Sequence, residues 1–382
     1  MDEEKTDKFD RKKFIWGVVI VLCIALSWVG ATQATKSTYK DHFDGTFFIV
    51  WFSTCWMVVC FPVYLLKETL VTKTPVKEVL SNSLALLKTE SRPSFTLPTL
   101  INLICVVSPF CLLWIATNYM YAKALGLHGF APADVTALFS SAPAFVYILS
   151  FFLLNEKFTA SKVLAVALAI TGVVLFQYAN GFSAVTLVGS LLSVGAAIGA
   201  ALYKTSFKRY IGDASLAEVA LFLTTLGLLN LVFLFSIFLI LNATNSESLS
   251  ASPIPWNYLV ASAILSLFFN FFINFGIAYT YPLFISLGTV VGIPLNAFAD
   301  EIFRDISFGA VKIEGSLFII IGFLMLLLPD RISNAINTGF SAMLCLDRSK
   351  CRRRQRTFTV TPTGTTNLVT NADNLSEHNI FS

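Results

Sequence analysis

Charged residues are scarce in this sequence. Of its 382 residues, 13% are Asp, Glu, Lys or Arg, whereas a soluble domain carries about 25%. Hydrophobic residues make up 55% of the chain, and the mean hydropathy is +0.72. A soluble core does not need so much apolar surface, so the excess must face lipid or other helices within lipid. The composition therefore excludes an ordinary soluble globular protein.

Residues that carry catalysis or bind metals are also few. The chain has three histidines, and its seven cysteines show no CxxC or Cys/His spacing, which argues against structural zinc and a disulfide framework. The motifs GxxxxGK[ST], HExxH and GxSxG do not occur, so neither an ATP-driven pump nor a soluble enzyme has support. We predict no catalytic residue, no metal, no cofactor and no nucleic-acid partner.

Long apolar stretches are what the sequence does contain. A membrane-spanning helix needs about 20 such residues, and ten stretches qualify: Phe14 to Ala34, Phe47 to Leu66, Leu100 to Ala124, Asp134 to Leu154, Ser161 to Tyr178, Thr186 to Tyr203, Leu216 to Leu241, Trp256 to Tyr279, Leu283 to Phe303 and Gly309 to Leu328. The first is too long for a signal peptide and lacks an A-x-A site. We predict an all-α membrane protein of ten transmembrane helices, with a short tail at 1–13 and a partly disordered tail at 329–382.

The distribution of basic residues indicates the orientation. With ten spans, 22 of the 27 Lys and Arg residues lie on the side of both termini. Because cytoplasmic loops are enriched in Lys and Arg, both termini are predicted to be cytosolic. The sequon at Asn242 then falls on the outer side, where it is a candidate for glycosylation.

The two halves of the chain resemble each other. Phe158 to Phe176 matches Phe308 to Leu326 at an offset of 150 residues, which aligns Gly172 with Gly322. Five spans per half would give the halves opposite orientations, as in many secondary transporters whose substrate binds at the repeat interface. We predict inverted five-helix repeats at 14–178 and 186–328; chance similarity between two apolar helices is the alternative.

Polar side chains within spans are costly unless they line a cavity or find a partner. Asn270 and Asn274 lie four residues apart on one face of the eighth span, where they could bind a solute or hydrogen-bond to a neighbouring helix. Asp300, in the ninth span, could bind a cationic solute or carry a coupling proton. It could equally pair with Arg304 or extend to the outer interface.

A second set of polar and aromatic residues lies near the ends of other spans. They are either interfacial anchors or contacts for a solute, since aromatic faces attract cations: Trp28, Gln33, Asn118, Tyr119 and Tyr203. Lys204 is either a basic anchor or an anion contact at an inner gate. Pro109, Pro143 and Pro294 each remove a backbone hydrogen bond and are predicted hinges.

Several segments resemble solute carrier family 35, subfamily F, members three and four. The segments are Ser27-Trp28-Val29-Gly30, Thr117-Asn118-Tyr119, Ala201-Leu202-Tyr203-Lys204, Phe269-Asn270, Ser286-Leu287-Gly288-Thr289 and Asp300. The resemblance covers about Ile24 to Asp330 and implies the drug/metabolite transporter superfamily, with two inverted five-helix repeats and a thiamine-transporter-like activity. Ala142-Pro143 departs from the Asn-Lys pair that the resemblance implies there.

The functional prediction is a secondary transporter that moves thiamine or a related organic cation by alternating access. Its partners would be the bilayer, the solute and a coupling proton or counter-solute, and it could form a homodimer. A Golgi nucleotide-sugar transporter is the first alternative, with Lys204 and Lys123 contacting phosphate. A receptor or scaffold is the second, and a membrane-embedded enzyme is disfavoured. Plasma membrane and Golgi both remain open.

Overall fold

The computed structural model describes residues 11–39, 43–87, 96–154, 159–212, 214–244, 246–247, 254–279 and 282–326. It describes their side chains except at 11–16, 274–279 and 282–287. The Asn274 side chain and most of both predicted tails therefore lie outside the described residues.

Helices make up almost all of the described chain, and no strand occurs within it. The α-helices are α1 Arg11–Thr38, α2 Thr46–Cys55, α3 Cys60–Leu70, α4 Val76–Ser83, α5 Leu97–Gly126, α6 Pro132–Phe139, α7 Ala142–Leu154, α8 Ala160–Asn180, α9 Ala184–Tyr210, α10 Leu216–Leu229, α11 Phe235–Ala243, α12 Trp256–Tyr279, α13 Pro282–Arg304 and α14 Ala310–Leu326. Two 3₁₀ turns, Trp56–Val59 and Leu84–Leu87, and a π-helical turn, Asn230–Leu234, complete the set.

Eight helical segments of the described chain are long and apolar enough to cross a membrane. They correspond to the first eight predicted spans, and an all-α membrane protein is thereby supported. The last two predicted spans are helical as α13 and α14, but they are not among the eight. The count of ten spans stays a prediction.

Three of the predicted spans contain interruptions. The second is divided by the 3₁₀ turn between α2 and α3, and the seventh contains the π-helical turn between α10 and α11. The fourth breaks at Ser140 and Ser141, just before Pro143. The ring of Pro143 would clash with the carbonyl of residue 139 in a continuous helix, and α6 ends at Phe139. Pro109 and Pro294, in contrast, lie inside continuous helices.

Small residues determine which helices pack most closely. In α9, a Cβ added to Gly195 would lie 3.1 Å from Met120, and one added to Gly199 would lie 2.4 Å from the Thr117 Oγ1 atom. Both neighbours belong to α5. Glycine therefore lets the two backbones approach, as the four-residue spacing of small residues predicts.

Helices α8 and α14 approach each other through their backbones. A Cβ on Gly172 would lie 2.6 Å from the carbonyl oxygen of Gly315, and one on Gly322 would lie 2.6 Å from that of Ala165. Both obstacles are backbone atoms, which cannot move aside as a side chain can. The two helices are thus in direct backbone contact at two levels.

A distant carboxylate caps the start of α2. The N-cap residue, Gly45, has no side chain to accept a hydrogen bond, so the first helical N–H groups lack a local partner. Glu247, which follows α11 and is 5% exposed, accepts from the Phe47 N–H at 2.7 Å and from the Tyr119 hydroxyl at 3.2 Å. One carboxylate thereby connects α2, α5 and the segment after α11.

Replacing Gly172 by leucine should disrupt the α8–α14 contact. Because the new side chain meets backbone, we expect the free energy of unfolding to fall by about 3 kcal/mol or more. The thermal midpoint of the protein in detergent measures this. The control is Gly309→Leu, since a Cβ at Gly309 meets nothing within 4 Å. Equal losses for the two variants would contradict the role of the contact.

Removing the α2 cap with Glu247→Ala should lower the free energy of unfolding by about 1 kcal/mol, measured by thermal unfolding. The pH dependence provides a second signature. Burial raises the pKa of Glu247 above its ordinary value, and this outweighs the hydrogen bonds from Phe47 and Tyr119, which lower the pKa. A carboxyl whose folded pKa is raised binds more protons folded than unfolded, so its contribution is lost as pH rises through that raised pKa.

Glu247→Gln should therefore show a flatter decline in stability with rising pH, from the ordinary glutamate pKa upward. The exposed Glu301 supplies the control, Glu301→Gln, which should keep the wild-type slope. A wild-type slope in Glu247→Gln would show that this carboxyl does not titrate in the folded protein.

Candidate functional site

A polar cavity lies between α1, α2, α5 and α12. Its volume is about 110 Å³. The residues that line it with rings, hydroxyls or amides are Trp28, Thr32, Thr35, Ser53, Thr54, Trp114, Asn118, Tyr121, Ser262, Ser266, Phe269 and Asn270. No charged side chain of the described residues lines this cavity. Its walls can thus bind by ring faces and by neutral hydrogen-bonding groups.

Aromatic rings form a connected wall around Trp28. Its ring centroid lies 4.7 Å from that of Phe269 on α12 and 5.3 Å from that of Tyr121 on α5. A third neighbour, Phe139 on α6, lies at 5.6 Å and is stacked. Of the predicted site residues, Trp28 is therefore placed where a ring face can contact a solute.

Two of the predicted amides also line the cavity. The Asn118 Nδ2 atom donates to the Trp114 carbonyl at 2.8 Å, and the Asn270 Nδ2 atom donates to the Ser266 carbonyl at 2.9 Å. Each amide is thus anchored within its own helix by one N–H. The anchoring orients the carboxamide and reduces the entropy lost on binding a ligand.

Asp300 lies outside the cavity wall and is 1% exposed. Its Oδ1 atom accepts from the Gln33 Nε2 atom at 2.8 Å, and its Oδ2 atom accepts from the Ala133 N–H at 2.8 Å. The Arg304 Nε atom lies 3.9 Å away. The carboxylate therefore joins α1, α6 and α13, and pairing with Arg304, foreseen from the sequence, is present.

A chain of hydrogen bonds connects this carboxylate to the cavity. Gln33 Nε2 also donates to the Asn296 Oδ1 atom at 3.1 Å, and Asn296 Nδ2 donates to the Thr136 hydroxyl at 3.0 Å. The Tyr121 hydroxyl lies 3.3 Å from that of Thr136 and 3.0 Å from that of Thr32. Since Thr32 and Tyr121 line the cavity, the chain of hydrogen bonds between the cavity and Asp300 is continuous.

Charged groups surround this network at the same end of the bundle. The Lys36 ammonium donates to the carbonyls of Leu127 and Phe130 at 2.8 and 3.0 Å. Lys312 on α14 lies 2.8 Å from the Asp134 carboxylate on α6. These bonds join α1 to the segment between α5 and α6, and α14 to α6.

The other predicted residues lie apart from the cavity lining. Tyr119 donates to Glu247, and Tyr203 packs among the rings of Phe110, Trp114 and Phe207. Lys204 is exposed on α9. The predicted glycosylation site, Asn242, lies in the last turn of α11. The gate, hinge and glycosylation roles stay predictions.

Sequence reasoning did not select Thr32, Tyr121 and Thr136 as site residues. Threonine and tyrosine are common in membrane helices, so their hydroxyls alone give little signal. The sequence spacing could have identified one of them, since Tyr121 follows Asn118 by three residues and the two therefore lie on one face of α5. Thr136 could be connected to Asn296 only by the tertiary fold.

Comparison with known proteins decides the family. Residues 15–178 match the EamA-like transporter family. The chain is 38% identical over 320 residues to human solute carrier family 35 member F3, covering 84% of this chain and 74% of that protein. This chain belongs to solute carrier family 35, subfamily F.

The chain is also similar to further transport proteins. Mouse member F4 is 38% identical over 83% of this chain and 64% of that protein. A thiamine-repressible mitochondrial transport protein of Saccharomyces cerevisiae is 23% identical over 81% of this chain and 90% of that protein. The subfamily F chain is accordingly a multi-pass membrane protein of a transporter family. The suspected resemblance is confirmed.

The buried ion pair of this subfamily F member should respond as a unit. Asp134→Asn or Lys312→Met alone leaves one uncompensated buried charge, and each should lower the free energy of unfolding by about 3–5 kcal/mol. The double variant should lose less than the sum, as measured by a thermal double-mutant cycle. The exposed pair of Lys123 and Asp44, 3.0 Å apart, is the control and should show a coupling of about 1 kcal/mol or less. Additive losses at Asp134 and Lys312 would show that they do not stabilise each other.

Proposed function

We propose that this chain carries an organic cation, with thiamine as the best candidate, by alternating access across the membrane. Ten spans arranged as two inverted five-helix repeats would provide the two arrangements that such a cycle needs. Both termini would face the cytosol, in keeping with the distribution of basic residues.

The observation that carries the proposal is the chemistry of the cavity. Trp28, Trp114, Tyr121 and Phe269 contribute ring faces, and hydroxyls and amides lie between them. A ring face attracts a cation by about 0.5–2 kcal/mol, and the mixed donors and acceptors suit a heteroaromatic ring edge. A cation with aromatic rings, such as thiamine, uses both features of this wall.

The absence of charge among the described lining residues counts against an anionic cargo. A nucleotide sugar carries phosphates, which proteins usually bind with Arg, Lys or helix N-termini. Lys123 is paired with Asp44, and Lys204 does not belong to the cavity lining described above. The acid nearest to the cavity along hydrogen bonds, Asp300, would favour a positive solute.

Reciprocal packing supports the inverted repeats. At the 150-residue offset, Ala165 corresponds to Gly315 and Gly172 to Gly322. Gly172 packs on Gly315, and Gly322 packs on Ala165. Two surfaces that contact each other through equivalent residues are what a two-fold axis generates. An axis between α8 and α14 is the arrangement that the repeat predicts.

Other helices of the two halves also make corresponding contacts. Helix α1 packs on α12 and α13. The corresponding helix of the second half, α9, packs on α5 and on α6 with α7, which are the counterparts of α12 and α13 in the first half. The agreement supports a repeat that chance similarity of two apolar helices would not produce.

The bonds of Asp300 suggest how transport could be coupled. An outward opening between α1, α6 and α13 would break its bonds to Gln33 and Ala133, which are 2.8 Å long. A carboxylate released from such bonds could take up a proton or attract the cation. Asp300 would then act as a coupling and gating residue rather than a contact of the cavity-bound solute.

The name of one relative agrees with the cargo. The yeast protein is called a thiamine-repressible mitochondrial transport protein. That name is consistent with thiamine as the proposed cargo. The predicted orientation, with both termini in the cytosol, is compatible with the plasma membrane and with the Golgi.

Counterflow in proteoliposomes tests the proposal. Vesicles loaded with thiamine should accumulate labelled thiamine, and unlabelled organic cations should compete. Asp300→Asn should reduce the initial rate by about tenfold or more, because the charge that holds the gate is lost. Glu301→Gln, which alters the exposed neighbouring acid, is the matched control and should keep the wild-type rate. Exchange of nucleotide sugars without thiamine flux would overturn the proposed cargo, and binding without any flux would indicate a receptor.

A further inference from the structure

Two uninterrupted orders of donors and acceptors can connect Asp300 with the cavity. An amide has distinct donor and acceptor ends, and a hydroxyl has one hydrogen to donate and two lone pairs that accept, so a hydroxyl that accepts on one side of the chain can donate on the other. The network contains two amides, Gln33 and Asn296, followed by three hydroxyls, those of Thr136, Tyr121 and Thr32. The group at one end therefore favours one of the two orders along the whole chain.

An ionised Asp300 sets the first direction. A carboxylate can only accept, so Gln33 must present its Nε2 atom to both Asp300 and the Asn296 Oδ1 atom. Asn296 then donates to Thr136, Thr136 donates to Tyr121, and Tyr121 donates to Thr32. Thr32 accepts from Tyr121, so its own hydrogen points away from Tyr121 and can be donated to a group in the cavity that Thr32 lines.

A protonated Asp300 sets the opposite direction. Oδ2 still accepts from the Ala133 N–H, so the proton lies on Oδ1 and donates to Gln33, whose amide turns its oxygen toward the carboxyl and toward Asn296. The Asn296 amide turns in response and accepts from Thr136. Thr136 then accepts from Tyr121, and Tyr121 accepts from Thr32. The hydrogen of Thr32 is thereby engaged, and the cavity faces the lone pairs of its oxygen.

We propose that these five side chains form a relay that reports the charge of Asp300 to the cavity, making Thr32 a donor when Asp300 is ionised and an acceptor when it is protonated. The relay rests on the proposed function, because that function supplies the coupling proton at Asp300 and the solute whose recognition the relay would change. Thr32 is a specificity-determining residue, and Thr136 is a positioning residue that acts through Tyr121.

Burial allows the relay to hold its order. Asn296 and Thr136 are fully buried, Thr32 is 2% exposed, and Asp300 is 1% exposed. A buried donor or acceptor left without a partner costs about 1–3 kcal/mol. Partial reversal would put two donors or two acceptors face to face, so the members are expected to turn together.

The charged groups around Asp300 come from four helices. Arg304 belongs to α13 itself, Lys36 to α1 and Asp134 to α6, and Lys312 on α14 is bonded to Asp134. Three cations face two acids. In the arrangement described here the Gln33 Nε2 atom and the Ala133 N–H both donate to Asp300, which corresponds to the ionised form of Asp300 and therefore to the donor form of Thr32.

The relay predicts which solute atoms the cavity distinguishes. With Asp300 ionised, Thr32 would bind an acceptor such as the unprotonated nitrogen of an aromatic ring. With Asp300 protonated, it would bind an N–H or O–H of the solute. One hydrogen bond of this kind corresponds to roughly a two- to tenfold change in affinity.

Infrared difference spectra of the solute-free protein at stepped pH test the relay without any transport. The carboxyl band that Asp300→Asn removes should appear on acidification, together with a phenol band that Tyr121→Phe removes. Thr136→Val is nearly isosteric and interrupts the relay, so it should keep the carboxyl band and abolish the phenol change. Thr225→Val is the matched control, because the buried Thr225 hydroxyl bonds only the Leu221 carbonyl of its own helix among the contacts described, and it should keep both bands.

Three spectral outcomes would overturn the relay. They are an Asp300 band without the Tyr121 change, a Tyr121 change that survives in Thr136→Val, and no titration of Asp300 at any pH at which the protein stays folded. Failure of the proposed cargo is a separate result, because intact spectral coupling in a protein that does not move thiamine leaves the relay standing. Should thiamine bind, its affinity should depend on pH in the wild type and Thr225→Val but not in Thr136→Val.

Discussion

Within hydrocarbon, a polar group has no water to bond, and each one left without a partner costs several kcal/mol. Some polar side chains of this protein bond a carbonyl of their own helix, as Asn118 and Asn270 do, and others bond across helices. Gln33, Asn296 and Asp300 join α1 to α13, and Ala133 and Thr136 bring in α6. Because these bonds can be satisfied only at one mutual position of the three helices, they determine how this end of the bundle closes.

Close backbone packing supplies the complementary constraint. Lipid chains are as apolar as leucine, so helices in a bilayer gain little from hiding apolar side chains from one another. Gly172, Gly315 and Gly322 instead allow backbone contact between α8 and α14, where dispersion forces act over many atoms. One end of the bundle is thus held by hydrogen bonds, which can exchange partners, whereas the α8–α14 pair is held by close packing of backbone atoms. A carrier needs both kinds of contact, since one part must move while another stays fixed.

The cavity and the buried acid have different tasks in this arrangement. The cavity offers ring faces and neutral hydrogen-bonding groups to a solute, while the carboxylate is kept among helix ends and bonded on both oxygens. For the proposed organic cation, this separation would have a physical advantage, because a charge within the cavity would bind the cation more tightly and slow its release. A chain of neutral groups can transmit the state of the acid without placing its charge beside the solute.

Much of this protein follows from its sequence. Runs of about 20 apolar residues can only be membrane helices, so the boundaries of α5, α8 and α12 agree with prediction to within a few residues. The cost of polar groups in lipid likewise singled out Asn118, Asn270 and Asp300, and Trp28 was chosen for its ring. Spacing along one helix was sufficient for these inferences, because neighbours on one face are determined by the 3.6-residue period.

The partners across helices were decided by tertiary structure alone. Nothing in the sequence connects Thr136 with Asn296, 160 residues apart, or assigns Glu247 to cap α2. Asp300 was expected to bind a cationic solute, carry a coupling proton, extend to the outer interface or pair with Arg304, and its bonds to Gln33 and Ala133 were not foreseen. A hydropathy pattern states what must be buried from lipid, but which groups then meet depends on the rotation and depth of each helix, and only the packed bundle determines those.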